Sequence, residues 1–345
     1  MEKVLVTGGT GYIGSHTAVE LLKSGFDVVI VDDLSNSQVE VLDGIEKISG
    51  RRPSFYQFDL CNEQALEKFF TEHQDIKSII HFAASKAVGE SVEKPLKYYR
   101  NNLFSLIFLL ETMKRLRIAN IVFSSSCTVY GQPDQLPVTE QTPFKPAESP
   151  YGNTKQICEE ILRDTCKVDQ NINAISLRYF NPAGAHDSAL IGELPNGVPN
   201  NLVPFITQTA AGIRKELLVF GSDYNTPDGS AVRDYIHVVD LAEAHVLALK
   251  RLIGKKQKSN YEFFNLGTGK GSTVLELINT FEKVNNIKVN YRIVDRRPGD
   301  VEKIYADTKQ ANEVLGWKAS RTPEDMMRSA WKWQMHYTKM TQVKA

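Results

Sequence analysis

The sequence predicts an α/β fold: a doubly wound parallel sheet, joined towards the C-terminus by a smaller α/β lobe that binds substrate. Three observations predict it. Short apolar runs alternate with longer stretches of helical periodicity through the first half of the chain, as in strand–helix–strand units that cover both faces of a parallel sheet. The first run, Val4–Leu5–Val6, leads into a glycine-rich loop, Thr7 to Gly14, and then a helical pattern through Ala18, Val19, Leu21 and Leu22. A second run, Val28 to Val31, ends on Asp32-Asp33. Together these define a Rossmann-type sheet. The expected division is 1–180 for the dinucleotide-binding domain and 181–345 mainly for the substrate lobe, with some crossing back of the chain to the first domain.

In the glycine loop, Gly8, Gly11 and Gly14 let the backbone turn tightly and approach a pyrophosphate at a helix N-terminus. Glycines at this spacing often mark a mere turn; a strand before and a helix after supply the context a dinucleotide needs. Asp32 follows Gly14 by 18 residues, where a carboxylate holds a ribose 2′-hydroxyl and repels a 2′-phosphate. NAD is therefore expected rather than NADP. Phe55 to Phe58 forms the next apolar run and leads to Asp59-Leu60, placed to meet an adenine. Ala65 to Phe70 reads as a helix, and Ser78 to Phe82 as a buried strand ending in the small residues Ala83-Ala84. A long helix is expected from about Pro95 to Arg117, then a strand at Ile121–Val122–Phe123 that ends in Ser124-Ser125-Ser126-Cys127-Thr128. The glycine loop, Asp32, Asp59, Ala83 and the serines all fall at the C-terminal ends of strands, where parallel sheets bind ligands.

Ser149-Pro150-Tyr151-Gly152-Asn153-Thr154-Lys155 opens the next helix. Ser149 suits the N-cap and Pro150 the first helical position, and Ile157, Ile161 and Leu162 follow at helical spacing. Tyr151 and Lys155 are four residues apart and share a helix face. A free phenol titrates near 10, and a cation beside it favours the phenolate; reaching about 7 takes roughly 4 kcal/mol, within reach of a lysine plus a cofactor's positive charge. Such a tyrosine is a general base for a hydroxyl proton. Taken alone, the pair is a weak pattern that also occurs as a solvated surface pair. Its weight comes from the serine cluster one strand earlier, where a hydroxyl can bond the oxygen that loses its proton. Cys127, with no cation near it in sequence, reads as a small buried apolar group.

Composition narrows the function classes. The chain has 345 residues, with 41 basic and 41 acidic side chains, so no electrostatic footprint points to nucleic acid or an anionic membrane. No apolar run approaches the roughly 20 residues of a membrane span. Met1-Glu2-Lys3 runs straight into the first strand, so no signal peptide is expected. Cys61, Cys127, Cys158 and Cys166 form no Cys-x-x-Cys pattern, which favours a reducing, cytoplasmic setting and no metal site.

In the second half, Asn181 to Pro204 is rich in Gly, Pro and Asn, as in a loop region that wraps a ligand. Asp223 to Gly229 is turn-dense, Asp240 is expected to cap a helix through Ala242 to Ile253, and Glu324 to Met340 reads as a helix packed on the lobe through Met327 and Trp331. Arg233 and Arg297, the latter in the loop Arg296 to Asp300, suit bidentate recognition of a diphosphate. Without further context each would be an ordinary surface arginine.

The glycine loop, Asp32, the serine cluster and the Tyr-x-x-x-Lys pair resemble the extended short-chain dehydrogenase/reductase family. A closer likeness, to its members that epimerise UDP-hexoses at carbon 4, rests on VLVTGGTGYIGSHT, HFAASKAVGESVEKPLKYY, FSSSCTVYG, SPYGNTK, LRYFNPAGAH, PNNLVPF, VFGSDYNTPDGSAVRDYIHVVDLA and RRPGDVEKIYAD. That resemblance implies reversible inversion at C4 of UDP-glucose and UDP-galactose through a 4-keto sugar, with transient reduction of tightly bound NAD, in a homodimer that uses neither nucleic acid nor membrane. By position it implies NAD contacts from Tyr12, Ile13, Asp32, Asp33, Leu34, Ser35, Asn36, Ser37, Asp59, Leu60, Phe82, Ala83, Ala84, Lys86 and Asn101. Phe180 would lie beside the nicotinamide. Tyr151 would be the catalytic base, Lys155 its electrostatic partner on the nicotinamide ribose, and Ser126 the serine of the site. UDP-sugar contacts are implied for Asn181, Asn201, Leu202, Leu218, Val219, Phe220, Arg233, Tyr235, Arg297 and Asp300. Ile304, just before Tyr305-Ala306-Asp307, falls where a tyrosine accompanies restriction to unacetylated sugars and a small residue accompanies N-acetylated ones. Sister dehydratases resemble Thr-Asp-Glu-Val-Tyr-Gly at the serine turn, and decarboxylases carry a glutamate there; Ser126-Cys127-Thr128-Val129-Tyr130-Gly131 has no carboxylate. A cofactor-sensing regulator of the same fold usually lacks the tyrosine or lysine, and both are present.

Overall fold

The computed structural model describes residues 2–297 and 301–344. Six strands come first: β1 (Lys3–Thr7), β2 (Asp27–Asp32), β3 (Ser54–Gln57), β4 (Ile76–His81), β5 (Asn120–Ser124) and β6 (Asn173–Tyr179). Among them run α1 (Tyr12–Lys23), α2 (Val41–Ser49), α3 (Glu63–Glu72), α4 (Val88–Glu93), α5 (Pro95–Leu116) and α6 (Pro150–Val168), with a 3-10 turn at Cys127–Tyr130. The second half adds β7 (Asn181–Ala183), α7 (Leu202–Ala210), β8 (Leu217–Phe220), β9 (Val232–Arg233), β10 (Tyr235–His237), α8 (Val238–Ile253) and β11 (Tyr261–Leu266). Then come β12 (Ser272–Thr273), α9 (Val274–Asn285), β13 (Tyr291–Val294), β14 (Lys303–Ile304) and α10 (Pro323–Lys344).

The main sheet has seven strands in the order β11-β6-β5-β4-β1-β2-β3, and every pairing in it is parallel. Strand side chains alternate between faces. Val4, Val6, Val28, Ile30, Ile80, Val122 and Ile175 enter the core beneath α1 and α8. Leu5, Val29, Val31, Ile79, Ile121 and Phe123 enter the core beneath α3, α5 and α6. Both faces are thus dry, and the strands read as continuous apolar runs. The chain leaves β1 towards β2 and β3, then returns to β4 on the other side, so the order reverses between β1 and β4. That reversal opens a crevice at the strand ends.

Two second-half elements rejoin the first: β11 pairs with β6, and α8 packs on α1. The remaining ones surround a separate apolar cluster formed by Val203, Ile206, Val219, Leu277, Phe281, Met326 and Met327. Small sheets pair β10 with β7, β13 with β8, and β9 with both β12 and β14. One expected cap differs: His237, not Asp240, caps α8, its ring accepting from Val239 N at 3.1 Å. Asp240 lies a turn inside, fully buried, and takes the N–H groups of Ser320 and Arg321 together with the Arg321 guanidinium. Asp240 is consumed by a tertiary anchor that no local pattern reveals.

Four histidines, His16, His81, His237 and His245, are almost wholly buried. Burial lowers His16 and His81 to about 3 and His237 and His245 to about 4. The unfolded chain binds protons on these rings near pH 6.5, whereas the fold excludes them until pH 3–4. Stability is therefore complete above pH 6.5 and is lost as pH falls towards 4, on the order of 1–2 kcal/mol per histidine by pH 5. Thermal melts should show a steep fall of Tm across that window; a Tm unchanged from pH 7 to pH 5 would contradict it.

Candidate active site

The glycine loop leaves β1 with Gly8 at φ +67°, where a Cβ would lie 2.7 Å from the backbone nitrogen of Ala83. A Cβ on Gly14 would lie 2.3 Å from the Gly8 carbonyl oxygen. The loop is therefore backbone packed on backbone, tight against the end of β4. α1 begins beyond Gly11 with no side-chain cap and no acidic residue in its first turn, which leaves an electropositive end for an anion. At the end of β2, buried Asp32 accepts from Thr10 N, Leu34 N and the Ser37 hydroxyl at 3.2, 2.9 and 3.1 Å. It shapes the turn that follows, in which Leu34 adopts φ 61°, unusual for a branched side chain. The donors at α1 and the carboxylate at β2 fit a dinucleotide: pyrophosphate on the N–H groups, ribose beside Asp32.

The other expected cofactor residues gather around the same crevice. Asp33 accepts from the Ser35 amide and hydroxyl, and Asn36 is exposed beside them. At the end of β3, Asp59 is exposed and accepts from Cys61 N at 2.8 Å, while Leu60 is buried. Phe82 packs on the His245 ring at 4.6 Å; Ala83 and Ala84 are half-buried at the mouth of β4. Lys86 faces Glu193 at 3.8 Å, and Asn101 donates to the Ser85 hydroxyl at 3.2 Å. Two side chains point elsewhere. The Tyr12 hydroxyl donates to the Gly184 carbonyl at 2.6 Å, and Ile13 packs into the core. Both lie in the first turn of α1, where backbone N–H groups have no intrahelical partner.

In α6, the Ser149 hydroxyl accepts from Gly152 N at 3.1 Å and Pro150 opens the helix. Tyr151 and Lys155 project together from it, both buried. The Lys155 ammonium lies 5.9 Å from the centre of the Tyr151 ring and 4.7 Å from that of Phe123, and it donates to the Ser124 carbonyl at 2.7 Å. Burial lowers Lys155 to about 8, while Cys158 and Glu159 oppose that fall. Burial raises Tyr151, with Tyr179 adding to the effect and a hydrogen bond to Ser126 reducing it. The lysine does not by itself lower the phenol, because desolvation outweighs a cation that is bonded to Ser124. A phenolate needs the positive charge of a cofactor as well.

Ser126 is buried in extended conformation ahead of the 3-10 turn, and its hydroxyl accepts from Thr128 N at 3.2 Å. Burial pushes the Cys127 thiol up to about 12, with Arg233 opposing, so this sulfur is no nucleophile. The Ile304 strand, β14, packs on the same turn, with Cys127 and Val129 against Ile304. In register, Arg233 pairs with Ile304 of β14. Ile304 is buried with Val129, Tyr130 and Phe180. The position expected to sense the sugar and the one expected beside the nicotinamide thus share one apolar cluster under the turn.

The remaining expected substrate residues divide. Asn181 pairs with Tyr235 across β7 and β10. Asn201 donates to Glu193 at 2.6 Å and Leu202 is half-buried at the start of α7. In β8, Leu218 and Phe220 face outward, and the Arg297 guanidinium lies 5.6 Å from the Phe220 ring centre. Val219 and Tyr235 instead put their side chains into the core of the small lobe, so they offer a ligand only backbone. Alternation along each strand imposes this. Asp300 lies outside the described residues. Sequence reading missed Glu193, which touches both Lys86 and Asn201. It also missed Asp234, whose buried carboxylate takes Thr268 N, Gly269 N and Ala306 N. Only turn residues around Gly267 hinted at the latter. No group of metal-ligating side chains occurs among the described residues, and no described helix is long and apolar enough to cross a membrane.

A dinucleotide crevice flanked by a buried Ser–Tyr–Lys set defines a short-chain dehydrogenase/reductase with NAD as its cofactor. Residues 5–330 match the family profile described as GDP-mannose 4,6 dehydratase. A UDP-glucose 4-epimerase of Dictyostelium discoideum is 51% identical over 333 residues, covering 96% of each chain. A crystal structure of UDP-glucose-4-epimerase from Stenotrophomonas maltophila, with bound NAD and formylated UDP-arabinopyranose, aligns with TM-score 0.94 at 48% identity over 99% of this chain and 100% of that one. The Bifidobacterium longum enzyme, in complex with NAD+ and UDP, gives TM-score 0.93 at 47% identity over 97% and 99%. The chain belongs to the UDP-glucose 4-epimerase family.

Proposed function

We propose that this chain interconverts UDP-glucose and UDP-galactose by proton transfer at Tyr151 and hydride transfer at carbon 4. One observation supports the assignment of residues: Tyr151 and Lys155 project, both buried, from one face of α6 onto the end of β5, where the Lys155 ammonium donates to the carbonyl of Ser124, two residues before Ser126. Ser126 fixes the 4-hydroxyl oxygen, and Tyr151 removes its proton. NAD, held at the glycine loop and Asp32, would supply a hydride acceptor for carbon 4 and a hydride donor to the opposite face of the resulting 4-keto sugar. Tyr151 then gives the proton back, so the residue acts twice per turnover and nothing is consumed. Lys155 keeps the anionic phenol favourable while the proton is away.

The nucleotide anchors the substrate. Arg233 and Arg297 suit the diphosphate, with Asn201, Leu202, Leu218, Phe220 and the backbone of Val219 and Tyr235 beside them, Asp300 completing the set and Asn181 near the sugar. Residues 1–180 serve the cofactor and 181–345 mainly the UDP-sugar, apart from α8 and β11. The dehydratase reading suggested by the family profile is disfavoured, because Cys127 and Thr128 occupy the places where elimination needs a carboxyl acid–base pair. Ile304 supports a main preference for unacetylated sugars, with UDP-N-acetylhexosamines as a side activity. A second copy of this chain fits the outer faces of α4 and α5, where Val88, Val92, Leu96 and Phe104 are exposed. All four cysteines are free thiols, the state that a reducing cytoplasm maintains.

Tyr151→Phe should lower kcat for UDP-galactose by roughly 10²–10⁴ while NAD still co-purifies; full turnover in that variant would sink the assignment. Ile304→Ser should raise turnover of UDP-N-acetylgalactosamine relative to UDP-galactose, and an unchanged ratio would remove Ile304 from specificity. Sedimentation equilibrium should return twice the chain mass of 38.8 kDa, whereas a single-chain mass rules out the α4–α5 interface.

A further inference from the structure

Behind the site lies a buried ion pair that the chemistry above does not use. Glu159 and Arg178 are 3% and 4% exposed, and Arg178 Nη2 approaches Glu159 Oε2 at 2.6 Å. Taking two charges out of water is costly, and a pair of this kind contributes little net stability over apolar residues of the same volume. Its remaining bonds show what it holds. Glu159 Oε1 accepts the Ser125 hydroxyl at 2.5 Å, and Arg178 Nη1 donates to the Tyr130 hydroxyl at 2.9 Å. Ser125 directly precedes Ser126, and Tyr130 closes the 3-10 turn that follows it. The same pair therefore grips both ends of the turn carrying the Ser126 hydroxyl.

The grip is itself rigid. The Arg178 guanidinium lies 4.1 Å from the ring centre of Phe263 and 4.8 Å from that of Phe144. Tyr130 passes its own proton to Asn265 at 2.7 Å, so its oxygen has one fixed orientation. Glu159 stands four residues beyond Lys155 and eight beyond Tyr151 on α6, which puts all three on one helix face. Lys155 meets the Ser124 carbonyl, and Glu159 meets the Ser125 hydroxyl. Two consecutive serines are thus held by consecutive turns of the helix that carries Tyr151.

We propose that Glu159, through Ser125, and Arg178, through Tyr130, are positioning residues that set the Ser126 hydroxyl against the Tyr151 phenol. The inference rests on the assignment of Tyr151 and Ser126 made above. Bonds that only align reacting groups are read in kcat rather than in substrate affinity.

Removing Glu159 itself would strand a buried cation, so the test cuts the two ends instead. Ser125→Ala and Tyr130→Phe each leave the ion pair intact and should each lower kcat about tenfold, with KM for UDP-galactose and NAD content unchanged. Tyr261→Phe is the control: its hydroxyl donates to the same carboxylate at 3.0 Å without touching the turn, and it should keep kcat within about twofold of the parent. Wild-type kcat in both Ser125→Ala and Tyr130→Phe overturns the proposal. So does an equal loss of kcat in Tyr261→Phe, because the effect is then general weakening of the pair. If Ser125→Ala yields no folded protein, Tyr130→Phe against Tyr261→Phe decides alone. Tyr151→Phe, run alongside, separates the two levels: loss there with normal turn variants overturns only the positioning role, whereas full activity there overturns the assignment beneath it.

Discussion

The Lys155 ammonium, buried between the Phe123 ring and the Ser124 carbonyl, is the interaction on which the site depends. A lone ammonium withdrawn from water is costly, and here burial has already brought the group to about 8. It is tolerated because the Ser124 carbonyl at the end of β5 accepts one of its protons at 2.7 Å and the Phe123 ring lies beside it. That fixes α6 against the end of β5 and brings Tyr151 to Ser126. The same burial opposes the phenolate. Burial thus favours the neutral phenol, and a cationic ring beside the lysine would favour the phenolate, which would tie proton transfer to the presence of oxidised cofactor.

The sheet makes that joining geometric. Because strand order reverses between β1 and β4, the glycine loop and Ala83 open one side of a crevice, and the serine turn after β5 closes the other. The second half completes it from outside. β11 extends the first sheet and α8 packs on α1, whereas β14, paired with the Arg233 strand β9, brings Ile304 against Val129 and Tyr130 of the serine turn. Asp234 links these pieces through three backbone N–H groups. A carboxylate so placed is strongly desolvated, yet it is bonded closely enough to stay inside.

How much of this is legible in sequence depends on whether the cause is local. The strands, the glycine loop, Asp32 and the Ser149 cap are local, since apolar periodicity, glycine spacing and cap chemistry each act within a dozen residues. The face shared by Tyr151 and Lys155 follows from helical spacing. What escapes reading is long-range partnership. Asp240 looks like a cap and is an anchor for Arg321; Glu193 looks like a loop carboxylate and joins Lys86 to Asn201. Tyr12, Val219 and Tyr235 are expected to face ligands, yet their side chains turn to a distant carbonyl or to the core. The raised pKa of Tyr151 was hidden for the same reason: neighbours in sequence reveal the cation, whereas burial is a property of the whole fold.

Chemistry in this crevice is restricted as much by what is missing as by what is present. Once carbon 4 is oxidised, the hydrogen on the neighbouring carbon 5 becomes acidic, and an acid–base pair within reach would expel the 6-hydroxyl. At the two positions following Ser126 the chain carries a thiol raised to about 12 and a threonine, neither of which exchanges protons readily near neutral pH. In the proposed mechanism Tyr151 moves the proton and Ser126 directs it to the oxygen on carbon 4. A keto sugar in such a site has one productive fate, return of the hydride, so the stereochemical outcome depends on which face the sugar presents. The proposed mechanism therefore asks for tight ends and a permissive middle: a firmly held nucleotide, a rigid proton relay, and room for the ring to turn, for which the apolar cluster of Ile304 and Phe180 offers a wall without hydrogen-bonding side chains.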